Sequence, residues 1–423
     1  MRSFRKPHAR ALQIILILLV ATMAGAADES AVYGRDPHSL ANRLYLAVAT
    51  RKLDGVRYGV DIAEPFFEPI DDVAGAAATL DEFLLVPDKQ LRLTVLEKAL
   101  LQNDLWAAFD AEEYHEGSVL RVRLALAIWK LRLTKAEIAT LPDNFAHAAG
   151  DQTASPPAEL LDSNGSWVQV GESGLGPVAP FHVQMVSGRS AFQVFISCPG
   201  GRAATLAYLD KLNMYLTPYS LEPAQLSSYS STGHTVRMLA RSLNPDTPQF
   251  PVGTRFALVR RMLVIDAHLQ PAITPLTQKV QMREYRQLPS SQPHDLAAFL
   301  ATQSVFEWVM RRTDLLGTRP AGLLAVQATD REFQRTEGRG KADQESLAGP
   351  VVLSTCPRCH AGIGIFTVNS YTGFISKSIH DAPQLPAATN DDYQFTSTID
   401  WKKQQYDWGL LRGILETEAG RSH

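Results

Sequence analysis

FHVQMVSGRSAFQVFIS, residues 181–197, is where the period of the sequence changes. Phe181, Val183 and Met185 alternate with polar neighbours, and Ser187-Gly188-Arg189-Ser190 supplies turn residues. Phe192, Val194 and Ile196 then resume the alternation. A period of two on both sides of a glycine-containing turn predicts a β-hairpin. RFALVRRMLVIDAHL (255–269) and KVQMREYRQL (279–288) read as further strands. Between the two sets, GGRAATLAYLDKLN (200–213) reads as a helix entered from a turn.

Upstream of this region the period is helical. DKQLRLTVLEKALLQNDLWAAFD (88–110) sets Leu93, Leu96, Leu100 and Leu101 at helical spacing, with Asp88 after Pro87 as the cap. SVLRVRLALAIWKLRL (118–133) puts Leu120, Leu124, Ile128 and Leu131 on one face. Thr134 and Glu137 form a capping box for a short helix ending near Pro142. These stripes are the core-facing surfaces of a helical region. AAGDQTASPPAE (148–159) is small, polar and proline-containing, and reads as a linker.

Downstream, HDLAAFLATQSVFEWVMRRTDLL (294–316) reads as helical and TDREFQRTEGRGKADQESLAGP (329–350) as a polar, mobile loop. DWKKQQYDWGLLRGILETE (400–418) carries Trp401, Trp408, Leu411 and Leu415 at helical spacing. The expected fold is α+β and multidomain. It has a helical domain over 36–149, a strand-rich α+β domain over 160–290 and a mixed C-terminal segment over 291–423.

The first thirty residues set the compartment. Arg2, Arg5, Lys6 and Arg10 precede the apolar run Leu12 to Met23, and Ala24-Gly25-Ala26 is a small-x-small site. This is the pattern of a secretory signal peptide over 1–26, and the run is short for a membrane span. The segment holds four basic and no acidic residues, so its removal takes the formal net charge from −3 to −7. The expected mature chain is periplasmic or secreted and without a membrane span. It lacks the basic tract that nucleic acid demands.

The chain has three cysteines, and two lie in STCPRCHAG (354–362) with a histidine directly after the second. Two thiols three positions apart can add to the two vinyl groups of one haem, with the adjacent histidine under the iron. Cys356, Cys359 and His360 resemble the attachment motif of c-type cytochromes. The resemblance implies one covalent haem c, tethered by Cys356 and Cys359 and ligated by His360. Gly362 and Gly364 resemble the small residues that let a chain pass close to a porphyrin edge. The likeness covers little more than the motif. No methionine follows His360, and the only later histidines are His380 and His423. His380 is therefore a candidate distal ligand, Met282 and Met310 are upstream options, and a five-coordinate iron is the third case.

Two other readings of the motif stay open. VVLSTCPRC (351–359) resembles the strand and C-P-x-C of glutaredoxins, with Cys356 as nucleophile. The continuation HAGIGIFTVNS has two glycines and several β-branched residues, which oppose the long helix that family requires. Zinc would need a second ligand pair, for which only Cys198 and His380 offer themselves. Cys198 itself, in ISCPGGR, reads as a buried thiol at a strand end, and the turn after it is a weak anion-site candidate at a helix start.

LQNDLWAAFD, LTKAEIATLPDNFA, PGGRAATLAYL, FALVRRMLVID and CPRCHAGIGIFTVNSY, in that order, resemble an uncharacterised family of large secreted bacterial proteins with one C-x-x-C-H near the C-terminus. That resemblance implies no activity. G-x-S-x-G, H-E-x-x-H, Walker and dinucleotide motifs are absent. AEEYHEG (111–117) reads as a charged connecting loop. The expectation is an exported single-haem protein performing electron transfer or redox or ligand chemistry with an unknown redox partner, Trp401 and Trp408 being candidates to line its pocket. The alternative is a haem-free extracytoplasmic binding or structural module whose Cys356–Cys359 pair is a disulfide or redox dithiol.

Overall fold

The computed structural model describes residues 32–34, 36–53, 56–59, 70, 72–111, 118–148, 155–171, 177–217, 219–221, 227–229, 236–238, 241–288, 298, 301–317, 323–327, 360, 363–372, 384–388 and 391–421. The expected signal-peptide segment, AEEYHEG apart from Ala111, and the stretch 329–350 lie outside these residues.

Helices dominate the N-terminal part. They are α1 (Leu40–Val48), α2 (Val73–Leu85), α3 (Asp88–Leu91), α4 (Val95–Ala111), α5 (Arg121–Lys130), α6 (Lys135–Ala139) and α7 (Asn144–Ala148). A two-stranded ribbon, β1 (Thr50–Leu53) with β2 (Val56–Gly59), follows α1. The expected stripe on α5 is correct, with Leu120, Leu124, Ile128 and Leu131 all buried. The Thr134–Glu137 capping box is also formed.

The single helix expected over 88–110 is two. Arg92 is left-handed at φ 50° and breaks the chain after α3. A second capping box then starts α4: Thr94 N–H donates to the Glu97 carboxylate at 2.8 Å, and Glu97 N–H donates to Thr94 Oγ1 at 3.2 Å.

The sheet is built from β3 (Val168–Val170), β4 (Ser190–Ser197), β9 (Arg255–Ile265), β10 (Pro271–Tyr285), β11 (Gln303–Met310) and β12 (Leu323–Ala325). Its order is β12-β11-β10-β9-β4-β3, and every pairing is antiparallel. Four short strands, β5 (Tyr219–Leu221), β6 (Ser227–Tyr229), β7 (Val236–Met238) and β8 (Arg241–Leu243), pair as two ribbons outside it. The remaining helices are α8 (Pro180–Met185), α9 (Gly201–Asn213), α10 (Arg312–Leu315), α11 (Asn369–Thr372), α12 (Asp391–Lys403) and α13 (Tyr406–Arg421).

Three expectations change here. Residues 180–185 are helix, not the first arm of a hairpin. Pro180 sits at the first helical position, where its missing N–H costs nothing. Val183 and Val186 are buried three apart, while Met185 is 53% exposed. Residues 303–310 are strand rather than helix. Phe306, Trp308 and Met310 face one side and pack in or against one core, and β11 pairs with β10 and β12. An apolar run of that length fits either element by periodicity alone, and its aromatic and β-branched content favours strand. The C-terminal run is two helices, with Trp408, Leu411 and Leu415 buried on α13.

The sheet divides the core. On one face, Ala257, Val259, Val280 and Trp308 pack with Leu100, Leu124 and Trp408 in one cluster. This cluster joins residues from all three expected domains. On the other face, Phe192, Val194, Ile196 and Phe256 pack with Leu209 of α9 and with Ile365 and Tyr371. The side chains of β4 alternate between the two cores, so all eight residues of the strand are buried.

Polar side chains fasten the helices to the sheet. Gln102 of α4 accepts from Ile265 N–H at 2.7 Å and donates to Ile265 C=O at 2.9 Å. Asn144 does the same for Thr277, at 2.7 and 2.9 Å, where β10 shifts register against β9. Backbone groups left unpaired by the irregularity are thereby satisfied.

Asp110, near the end of α4, meets Arg189 at 2.8 Å and Lys402 of α12 at 3.2 Å, and Lys402 also bonds Asp407. Burial pushes the Asp110 carboxyl up to about 6 despite the two cations. The network therefore fixes geometry more than it adds net stability. Deleting one partner still strands a charge. Lys402→Met should cost about 3–5 kcal/mol in urea unfolding, whereas Arg43→Ala, which breaks the exposed Arg43–Glu82 pair, should cost less than about 1 kcal/mol.

Candidate functional site

The sheet face away from the N-terminal helices carries an open cleft with about 740 Å³ of space, part of it continuous with solvent. Two cross-strand rows make its floor. Val194, Leu258 and Gln281 lie in register across β4, β9 and β10, and Phe256, Arg283 and Val305 lie in register across β9, β10 and β11. Alternation along each strand sends these side chains to this face and Ala257, Val280 and Met282 to the other core. Met282 and Met310 are core fillers in that other cluster and do not reach the cavity.

Two segments make the walls. One is Ala179 to His182, at the start of α8. The other holds His360 and Val368 to Ser370. Ser370 Oγ donates to Val178 C=O at 2.6 Å and ties the two walls together.

His360 stands in the cavity with its ring oriented. Its Nδ1 lies 2.6 Å from Thr367 C=O. A carbonyl only accepts, so the neutral imidazole carries its proton on Nδ1 and leaves Nε2 as a lone-pair donor. This is the arrangement that prepares a histidine to ligate a metal. Thr367 is itself held: its hydroxyl donates to Gly364 C=O at 2.8 Å and bonds the Tyr285 hydroxyl. Gly364 has φ +51°, and a Cβ there would fall 1.9 Å from Gln249 Oε1, which accepts from Ile365 N–H at 2.9 Å. The positive φ favours glycine at this position, whatever fills the cavity. Gly362 lies outside the described residues.

His182 faces His360. The ring centroids are 6.2 Å apart and the planes differ by 19°. Phe181 and Phe192 also border the His182 ring. Burial pushes the His182 pKa down to about 4, helped by the positive charges of Lys279, Arg283 and Arg260. Burial, with Arg283, holds His360 well below the ordinary histidine value, and the Thr367 carbonyl opposes this. Both rings are therefore neutral near pH 7. Among the described residues Arg283 Nη1 is buried without a hydrogen-bond partner, while the guanidinium lies over the Tyr285 ring at 5.7 Å. An apolar cavity bordered by neutral imidazoles and an unsatisfied guanidinium suits an apolar ligand with anionic substituents.

The expected site residues divide. His360 lines the cavity. Cys356, Cys359 and His380 lie outside the described residues. Trp401 and Trp408 are not among the described lining residues; Trp408 packs on Trp106 at 5.8 Å and Trp401 lies against Gly188. Cys198 is buried as expected, with its thiol pushed up by burial. Arg202, in the turn proposed for an anion, donates instead to Trp167 C=O at 2.7 Å. Among the described residues there is no group of three or more His, Cys, Asp and Glu able to hold a metal, and no helix long and apolar enough to cross a membrane.

His182, Gln281 and Arg283 join the site through the fold alone. His182 is far from His360 in sequence and sits in a run that reads as a strand, so no spacing rule connects them.

The neutral burial of His182 has a pH signature. Between its folded pKa of about 4 and the unfolded value of about 6.5, the unfolded chain binds a proton that the folded chain does not. Stability therefore falls as pH drops through that window. For protein produced without cofactor, going from about pH 7 to about pH 5 should cost the parent roughly 1 kcal/mol more than His182→Gln, after allowance for the ring's partial exposure. Urea titrations at the two pH values measure the difference.

Comparison with protein-family models, curated proteins and solved structures finds no match to this chain.

Proposed function

We propose that the protein is an exported, periplasmic or secreted, single-haem protein of c-type cytochrome character. Its role is electron transfer, or redox or ligand chemistry, at one covalently held haem. The observation that carries this reading is the His360 imidazole, tied at Nδ1 to the Thr367 carbonyl inside an apolar cavity, in the position directly after Cys359.

The residues fit the group. His360 Nε2 would ligate the iron. The thiols of Cys356 and Cys359 would each add S–H across one vinyl group, giving thioethers with no oxidant consumed. Val194, Leu258 and Val305 offer apolar surface to a macrocycle, and the unsatisfied Arg283 guanidinium suits a propionate. When bound, the haem supplies a one-electron couple and, if a coordination position is open, a site for a small ligand.

The rest of the chemistry belongs to the chain. Thr367 C=O holds the His360 proton and tautomer, and the Tyr285 hydroxyl bond holds Thr367. The apolar rows would keep water from a bound haem, and the dryness of the site would help to set its redox potential. The partner in electron exchange is unassigned.

The test is the alkaline pyridine spectrum of denatured mature protein made in a host with haem c maturation enzymes. A reduced haem c band that survives acid-acetone extraction, and is lost in the Cys356→Ser, Cys359→Ser double variant, is expected. Absence of the band beside a normally maturing control cytochrome would overturn the reading and leave the cysteine pair to disulfide or dithiol chemistry.

A further inference from the structure

We propose that His182 is the second axial ligand, so that the iron held by His360 is six-coordinate with two histidines. The proposal rests on the haem reading and names a ligand that the sequence around the motif does not contain.

The geometry carries it. Two imidazoles bound on opposite faces of one metal ion through bonds of about 2 Å place their ring centroids roughly 6 Å apart. His182 and His360 stand 6.2 Å apart with planes inclined by 19°. Both line the same cavity, one from each wall. Offset ring pairs such as Phe306 and Trp308, at 6.1 Å, share this separation, and the spin state of the iron tells the two arrangements apart. The two walls are held at this spacing by the Ser370–Val178 hydrogen bond.

His182 also has no competing task. Among the described residues its imidazole has ring contacts with Phe181, Phe192 and His360 and no hydrogen-bond partner. A half-buried imidazole at the edge of an open cleft, with no described protein group holding its ring nitrogens, is available to a metal. The charged groups facing it are Lys279 and Arg283 of β10 and Arg260 of β9, all cationic. They oppose protonation and so preserve the ligand form of the ring.

The consequence is functional. An iron with both axial positions occupied exchanges electrons without a bound external ligand. Exogenous ligands can then enter only by displacing a histidine. The site is thereby assigned to electron transfer rather than to gas binding.

The test uses ferric holoprotein. Electron paramagnetic resonance and near-infrared magnetic circular dichroism report spin state and ligand type, and the alkaline pyridine spectrum reports haem content. The parent protein should be low-spin with the bis-histidine near-infrared band. His182→Ala should keep its covalent haem and become high-spin, and added imidazole should restore the low-spin form. His380→Ala should leave the low-spin spectrum unchanged.

A parent protein that carries haem c but is high-spin, or lacks the bis-histidine band, overturns the proposal. So does a His182→Ala holoprotein with the parent's spectrum. If His182→Ala fails to accumulate, His182→Met decides, because a methionine ligand shifts the near-infrared band while a change remote from iron does not. A parent protein without haem would instead sink the haem reading itself, which separates the two failures.

Discussion

The Asp110 carboxylate is the constraint on which the rest of the architecture depends. It stands near the end of helix α4, which lies against the sheet, and it meets Arg189 and Lys402 in the interior. Arg189 immediately precedes β4, and its carbonyl accepts from Leu263 N–H of β9 at 3.0 Å. Lys402 belongs to α12, near the C-terminus. One carboxylate thus joins the N-terminal helices, the entry to the central strand and the C-terminal helices. Such a contact contributes little net stability, since desolvation opposes it. What it contributes is register. It fixes where β4 begins, and therefore where α8, which ends five residues earlier, places His182.

The two faces of the sheet have different work. One is packed solid by helices carrying Leu100, Leu124 and Trp408. The other is packed beside α9 but left open between α8 and the His360 segment. The open part combines apolar rows, two neutral imidazoles and a guanidinium with one nitrogen unsatisfied among the described residues. Burial and the nearby cations keep both imidazoles neutral and make them poor proton acceptors near pH 7.

Much of this was legible in the chain. The stripe on α5 and the Thr134 cap follow from spacing and capping chemistry alone, and β9, β10, β4 and α9 follow from period and turn signals. The failures are informative. Phe181, Val183 and Met185 satisfy a period of two over too short a run to exclude one and a half helical turns, and Pro180 decides for helix. Residues 303–310 carry an apolar run that fits either element until its partners β10 and β12 are known. The break at Arg92 needed recognition of Thr94 and Glu97 as a second capping box. At the site, His360 announces itself in the sequence by its adjacency to the cysteine motif. His182, Gln281 and Arg283 do not, because strand register and the approach of two walls bring them together, and neither leaves a spacing pattern in the sequence.

A diffraction structure of protein matured in a haem c-competent host tests the central claim most directly. The account predicts a tetrapyrrole in the cavity over Leu258 and Arg283, thioether bonds from Cys356 and Cys359, and iron bound by His360 Nε2 with Nδ1 still on the Thr367 carbonyl. A Cys356–Cys359 disulfide beside a cavity without tetrapyrrole density would contradict it.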